Sequence, residues 1–283
     1  MIPTTLHQVK EEYVEGTAGK LFVRSWRPDG APRAAMVIVP GFNSHSGHYL
    51  QVGQHFAALG LAVYALDLRG RGKSDGERFF VETINDYVSD VDRLMTEVRA
   101  RESGLPIYLL GHSAGGVTAC IYTLEHQANI AGLICESFAF RTPAPDVALT
   151  ILKGLSYLAP HLHVLELKNA DFSRDPDVVE RLNADPLIHA EKQPTQTVAA
   201  LVRADERLAE EFEKFTLPLL ILHGTKDNAT KYSGSELFNQ RASSKDKTLK
   251  LYEGHYHDLL NDVGREEVMG DITNWLLQRL PKV

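Results

Sequence analysis

The chain has 283 residues, 43% of them hydrophobic and 24% charged, with a formal net charge of -7. That suits one large domain, or one domain carrying an insertion, with ample core. The acidic balance without any basic tract argues against nucleic acid as a partner, and no stretch approaches the roughly 20 apolar residues of a membrane span.

Residues 1–15 carry Lys10, Glu11 and Glu12 and no apolar core of signal-peptide length, which predicts a cytoplasmic protein. Residues 8–15 and 20–27 alternate apolar and polar around Gly16 and Gly19 and read as a hairpin. A buried strand is expected at 34–39, ending in Pro40-Gly41, then a loop through His48 and a helix near 49–59. Residues 61–68 read as another buried strand, followed by a turn-rich loop to Gly76. A helical period runs from Ile84 to Val98. Residues 106–111 form a strand, 114–127 a helix and 130–135 a further strand. Cys120 and Cys135 fall on that helix and that strand, and read as small core residues.

Strands alternating with helices predict an α/β fold: a mostly parallel central sheet with helices on both faces. The rhythm breaks near residue 138. From 138 to 215 helical patterns appear, around 147–158, 178–182 and 198–202, but no strand. It resumes with strands at 217–224 and 248–252 and helices near 232–242 and 265–279. Residues 1–137 and 216–283 are therefore read as the core, and 138–215 as a mainly helical cap. In an open parallel sheet the ligand crevice lies at the carboxyl ends of the strands, where such a cap would sit.

The strand at 106–111 runs into Gly111-His112-Ser113-Ala114-Gly115, the G-x-S-x-G pattern of a nucleophile elbow. The two glycines remove side chains that would crowd a strained turn. A serine nucleophile needs an acid, a base and an oxyanion hole, with the partners in the order Ser, acid, His. Asp227, just past the strand at 217–224, fits the acid. The loop after the next strand offers two histidines, His255 and His257, and either could reach. The oxyanion donors expected are the backbone N–H groups of Ala114 and Phe42, since Pro40 has none to give. His161 and His163 read as solvated loop residues, and His112 and His223 as structural ones. His255-x-His257 lacks a further ligand at metal spacing, so neither a metal nor another cofactor is expected.

With these residues in hand the chain resembles the α/β-hydrolase superfamily, and within it the monoacylglycerol lipase-like serine hydrolases. Gly47-His48-Tyr49, the elbow, Asp185-Pro186-Leu187-Ile188 and the run from Asp246 to His257 carry the likeness over nearly the whole chain. The family pattern Tyr-Glu-Gly-x-x-His selects His257 over His255. The resemblance implies a serine carboxylesterase acting through an acyl-enzyme on monoacylglycerol-like or other small- to medium-chain esters. An acyltransferase with the same triad and a non-catalytic ligand-binding protein are the alternatives. Ser44, His48 and Leu260 stand where monoacylglycerol-cleaving members place a glutamate, an arginine and a histidine, which implies weaker discrimination on the alcohol side. Ile151, Leu152 and Leu155 of the cap are candidates to line the acyl channel. The same apolar stripe could instead only pack the cap, or rest transiently on a lipid surface.

Overall fold

The computed structural model describes residues 8–281. Residues 1–7, part of the stretch read for a signal sequence, lie outside the described residues. The chain opens with strands β1 (Val9–Gly16) and β2 (Gly19–Trp26), antiparallel from Val9–Trp26 to Gly16–Gly19. It continues through β3 (Ala34–Val39), α1 (Leu50–Ala58), β4 (Leu61–Leu66), α2 (Ile84–Arg101), β5 (Ile107–His112), α3 (Ala114–His126) and β6 (Gly132–Glu136). There follow α4 (Asp146–Leu158), β7 (His163–Leu165), α5 (Pro176–Ala184), β8 (Gln193–Pro194) and α6 (Thr195–Glu211). The chain ends with β9 (Leu219–Gly224), α7 (Tyr232–Arg241), β10 (Lys247–Tyr252) and α8 (Arg265–Leu277).

Among the described residues, eight strands form one sheet in the order β1-β2-β4-β3-β5-β6-β9-β10. β2 meets β4 antiparallel, and every pair from β4 across to β10 is parallel. The central strands β3, β4, β5, β6 and β9 are buried at every position. Their side chains divide by a period of two. Val37, Leu109, Leu133 and Ile221 join a layer with Leu94 and Val98 of α2 and Val117 and Ile121 of α3. Met36, Leu110, Ile134 and Leu220 join the opposite layer with Phe56 of α1 and Val268 and Ile272 of α8. Both faces are covered, so these strands read as continuous apolar runs. Cys120 and Cys135 face each other across the first layer as free thiols, their sulfurs 3.5 Å apart.

Between β6 and β9 the structure adds two features to the expected mainly helical segment. β7 and β8 pair antiparallel as a separate two-stranded ribbon. With three and two residues, one of them Pro194, it is too short for alternation to register in the sequence. α6 packs as a core helix: Leu201, Ala204 and Leu208, with Phe212 and Phe215 just beyond it, join the layer of α2 and α3. Phe172, Val178, Leu182 and Ile188 form a small cluster of their own around α5. α4 buries only Ser156.

Candidate active site

β5 delivers the chain to Ser113, whose φ of 55° and ψ of -123° leave the regions that side chains favour. Hydrogen bonds hold the turn. Ser113 N–H donates to the carbonyl of Glu136 at 3.0 Å, and the N–H groups of Gly116 and Ala139 donate to the carbonyl of Ser113 at 2.9 and 3.1 Å. A Cβ on Gly115 would lie 2.2 Å from the carbonyl oxygen of Val39, and one on Gly111 would lie 2.6 Å from that of Gly115. No side chain fits at either place. α3 starts at Ala114, with the positive end of its dipole beneath the serine.

His257 Nε2 lies 2.8 Å from Ser113 Oγ, and its Nδ1 lies 2.7 Å from Asp227 Oδ2. An ionised Asp227 accepts from Nδ1–H, which leaves Nε2 free to accept the serine proton. Burial alone would raise the pKa of Asp227. The charge of His257, with hydrogen bonds from His223 and His257, outweighs that and holds the carboxyl well below the usual range. The carboxylate also accepts from the N–H groups of Ala229 and Thr230, both at 2.8 Å, and from the Thr230 hydroxyl at 2.7 Å. His255 is turned away, its ring 5.5 Å from that of Tyr252 and its Nε2 beside Gly264.

His223 has more to do than the sequence suggested. Its Nε2 lies 3.0 Å from Asp227 Oδ2 and its Nδ1 2.7 Å from Ser235 Oγ, so the acid is held from both sides by histidines. The signal was its place at the end of β9, four residues before Asp227. His112 packs beside the base, ring to ring at 5.0 Å, with Nδ1 3.2 Å from the Tyr49 hydroxyl. Burial, then repulsion by His257, holds its pKa well below the ordinary value, so it is neutral. His161 is not merely solvated: it stacks on Phe80 at 4.3 Å and pairs with Glu77 at 2.8 Å, while His163 lies in β7.

The loop after β3 passes directly over the serine. A Cβ on Gly41 would lie 2.8 Å from Ser113 Cβ and 2.9 Å from the His112 carbonyl oxygen. Phe42 follows, buried in the same apolar layer as Ala114. Further along, Ser44 Oγ lies 3.3 Å from His48 Nδ1, and His48 Nε2 lies 3.0 Å from Asp185. His45 Nε2 reaches the same Asp185 oxygen at 2.9 Å. Hydrogen bonds from His48 and His45 hold the Asp185 pKa well below the usual carboxylate range. Leu260 is buried in the layer of α1 and α8.

α4 divides the channel candidates. Leu152 and Leu155 are half-buried, but Ile151 is 66% exposed, beside Val147 at 68% and Leu158 at 87%. Ile151 therefore faces solvent. The reason is that α4 seats its polar side: Ser156 is buried and accepts from Arg203 of α6 at 3.2 Å.

Among the described residues, two groups bring metal-type donors within 4.8 Å of one another: His45, His48 and Asp185, and His112, Glu136 and Asp258. In the first, His45 Nδ1 accepts from Gly47 N–H at 3.0 Å. Its Nε2 therefore carries the proton and donates it to Asp185, which is a hydrogen-bond network and not a set of free ligands. In the second, burial pushes the Glu136 carboxyl and the His112 imidazole each toward its neutral form.

A parallel sheet with a Ser-His-Asp relay at its strand carboxyl ends is the arrangement of the α/β-hydrolases. Residues 30–264 match the family described as serine aminopeptidase, S33, and the chain belongs to that family. It is 34% identical over 257 residues to the monoacylglycerol lipase of Mycolicibacterium smegmatis, covering 90% of this chain and 92% of that one. It is 33% identical over 264 residues to human monoglyceride lipase, covering 92% and 87%. A crystal structure of the Paleococcus ferrophilus monoacylglycerol lipase matches with a TM-score of 0.83 at 30% identity, over 92% of this chain and 99% of that one. The protein is a monoacylglycerol lipase-like carboxylic-ester hydrolase. Among the described residues no helix is long and apolar enough to cross a membrane.

Proposed function

We propose that Ser113, His257 and Asp227 hydrolyse monoacylglycerol-like or other small- to medium-chain esters through an acyl-enzyme, beneath a cap formed by residues 138–215. The observation that carries this reading is the unbroken relay, 2.8 Å from serine to histidine and 2.7 Å from histidine to aspartate. His257 takes the Ser113 proton as Oγ attacks the ester carbonyl. Asp227 fixes the imidazole tautomer and stabilises the imidazolium. The amides of Phe42 and Ala114 receive the oxyanion. His257 then protonates the departing alcohol, and water activated by the same nitrogen cleaves the acyl-enzyme.

The alcohol side is weakly selective in this reading. Ser44 and His48 spend their polar atoms on each other and on Asp185, and Leu260 offers none. A site that does not hydrogen-bond hydroxyls discriminates poorly for them. The exposed apolar face of α4 supports transient contact with a lipid surface. The free thiols of Cys120 and Cys135 fit a reducing, cytoplasmic setting.

The test is a panel of esters varied separately in acyl length and alcohol polarity, run on wild type and Ser113→Ala. The variant should lose about 10⁴–10⁶-fold in turnover while staying folded. Near-wild-type activity in it would sink the assignment. Strong selectivity for a glycerol ester over a simple alkyl ester would sink the alcohol-side reading.

A further inference from the structure

The loop after β3 is anchored from outside the catalytic relay. Asn43, next to Phe42, has a φ of 51°, in the left-handed region that costs a side-chain-bearing residue energy. Its backbone N–H donates to Glu191 Oε1 at 2.9 Å. Its side-chain amide donates to Asn169 Oδ1 at 2.9 Å and to the Leu167 carbonyl at 3.3 Å. All three partners belong to the segment between β6 and β9.

Glu191 is built for this task. It is 4% exposed, and its Oε1 also accepts from Arg71 Nη1 and from Gln193 Nε2. Arg71 is 1% exposed. It donates through Nη2 to Gln193 Oε1 at 2.7 Å and through Nε to the Tyr87 hydroxyl at 2.9 Å, and its guanidinium lies 4.1 Å from the centre of the Phe42 ring. One buried ion pair therefore grips both residues of the turn: the carboxylate takes the amide of Asn43, and the guanidinium takes the ring of Phe42. A buried pair of this kind adds little net stability compared with apolar side chains, so its use is better sought in what it positions.

We infer that Glu191, charge-anchored by Arg71, is a positioning residue for the oxyanion hole. It fixes the Phe42–Asn43 turn so that the Phe42 amide faces the carbonyl held over Ser113. Because Glu191 comes from the segment between β6 and β9, the hole is complete only while that segment is seated on the core. This rests on the assignment of Phe42 and Ser113 in the proposed function. Displacing a donor by about 1 Å costs on the order of 10²-fold in rate, and losing one outright about 10²–10³-fold.

Two charge-matched double variants isolate the Asn43 bond. Arg71→Met with Glu191→Gln keeps an oxygen for the Asn43 amide, whereas Arg71→Met with Glu191→Met removes it. The first also gives up the Arg71 contact with the Phe42 ring, so its kcat is the reference for the second. The second should lose kcat by about a further 10- to 100-fold relative to the first, with KM little changed, because the lost contact acts in the transition state. Affinity for a trifluoromethyl ketone, whose hydrate mimics the oxyanion, should fall by the same factor, and affinity for a non-reactive ether analogue should not. Equal kcat values in the two variants overturn the inference. If neither variant folds, Asn169→Ala must still lower kcat and ketone affinity together, and unchanged values overturn it. Labelling of wild-type Ser113 by a fluorophosphonate separates the two layers: labelled enzyme with indifferent variants defeats the inference alone, whereas unlabelled wild type defeats the function it rests on.

Discussion

Asp227 concentrates the chemistry at the scale of one residue. It accepts from two histidines, a hydroxyl and two backbone amides, and its side chain is shielded from water. Asp227→Asn would keep the shape but present an amide to His257 Nδ1, favouring the wrong tautomer. Turnover should fall by about 10⁴-fold with the fold intact, measured as kcat alongside a circular-dichroism melt. A loss under tenfold would mean that His223 or Thr230 can orient the base unaided. The places of Ser113 and Asp227 were legible in the sequence because each follows a buried strand by a few residues. Spacing alone left His255 and His257 undecided. What separates them in the sequence is the family pattern Tyr-Glu-Gly-x-x-His, whose Gly254 takes a φ of 75° just before the two histidines. The supporting place of His223 was hidden because a histidine ending a buried strand reads as packing.

At the scale of elements, α4 and α6 show where periodicity misleads. A helical period identified both, but it cannot say toward what the apolar stripe points. In α4 it points outward, at Val147, Ile151 and Leu158. Each such side chain is worth about 1.5–3 kcal/mol when removed from water. Ile151→Glu combined with Leu158→Glu should therefore lower co-sedimentation with phospholipid vesicles and turnover of a micellar ester, and leave a soluble short-chain ester unaffected. Equal losses on both substrates would show that α4 serves the site and not a surface. α6 points inward yet carries Asp205, whose Oδ1 is buried without a partner. Burial, then the neighbouring charge of Glu206, raises its pKa well above the ordinary value. A raised carboxyl is stabilising only while protonated. Its contribution is full below the unfolded value of about 3.9 and is lost as pH rises through the folded value. Asp205→Asn should raise the Tm by about 2–4 °C at pH 8, with the gain shrinking toward pH 4. A variant less stable than wild type at pH 8 would contradict this.

For the molecule as a whole, the sheet was the most legible feature, because five strands buried on both faces leave unmistakable apolar runs. The seating of the segment between β6 and β9 was not. It depends on Asp185, Glu191 and Asn169 meeting a loop that lies more than a hundred residues earlier in the chain, and no local pattern records such a meeting. Histidines sit at several of these long-range joints. His45 meets Asp185, His55 bonds Thr273 to tie α1 to α8 at 2.8 Å, and His112 packs against His257. Burial lowers the pKa of all three, with repulsion from His48 and from His257 adding to it at His45 and His112. A histidine held neutral in the native state contributes stability that is full above its unfolded value of about 6.5. That contribution is lost as pH falls from there toward the lower folded value, because the unfolded chain takes up protons that the native state refuses. The urea midpoint should therefore drop between pH 7.5 and 5.5, with three histidines acting against the opposite pull of Asp205. His45→Gln with His55→Gln should flatten that slope, while Asp227 and Asp185, whose lowered pKa values act only below about 4, leave it unchanged in this window. A wild-type midpoint that is level or rises across the same range would show that these joints tolerate the charged imidazole, and that the contacts joining the segment to the core do not depend on its neutrality.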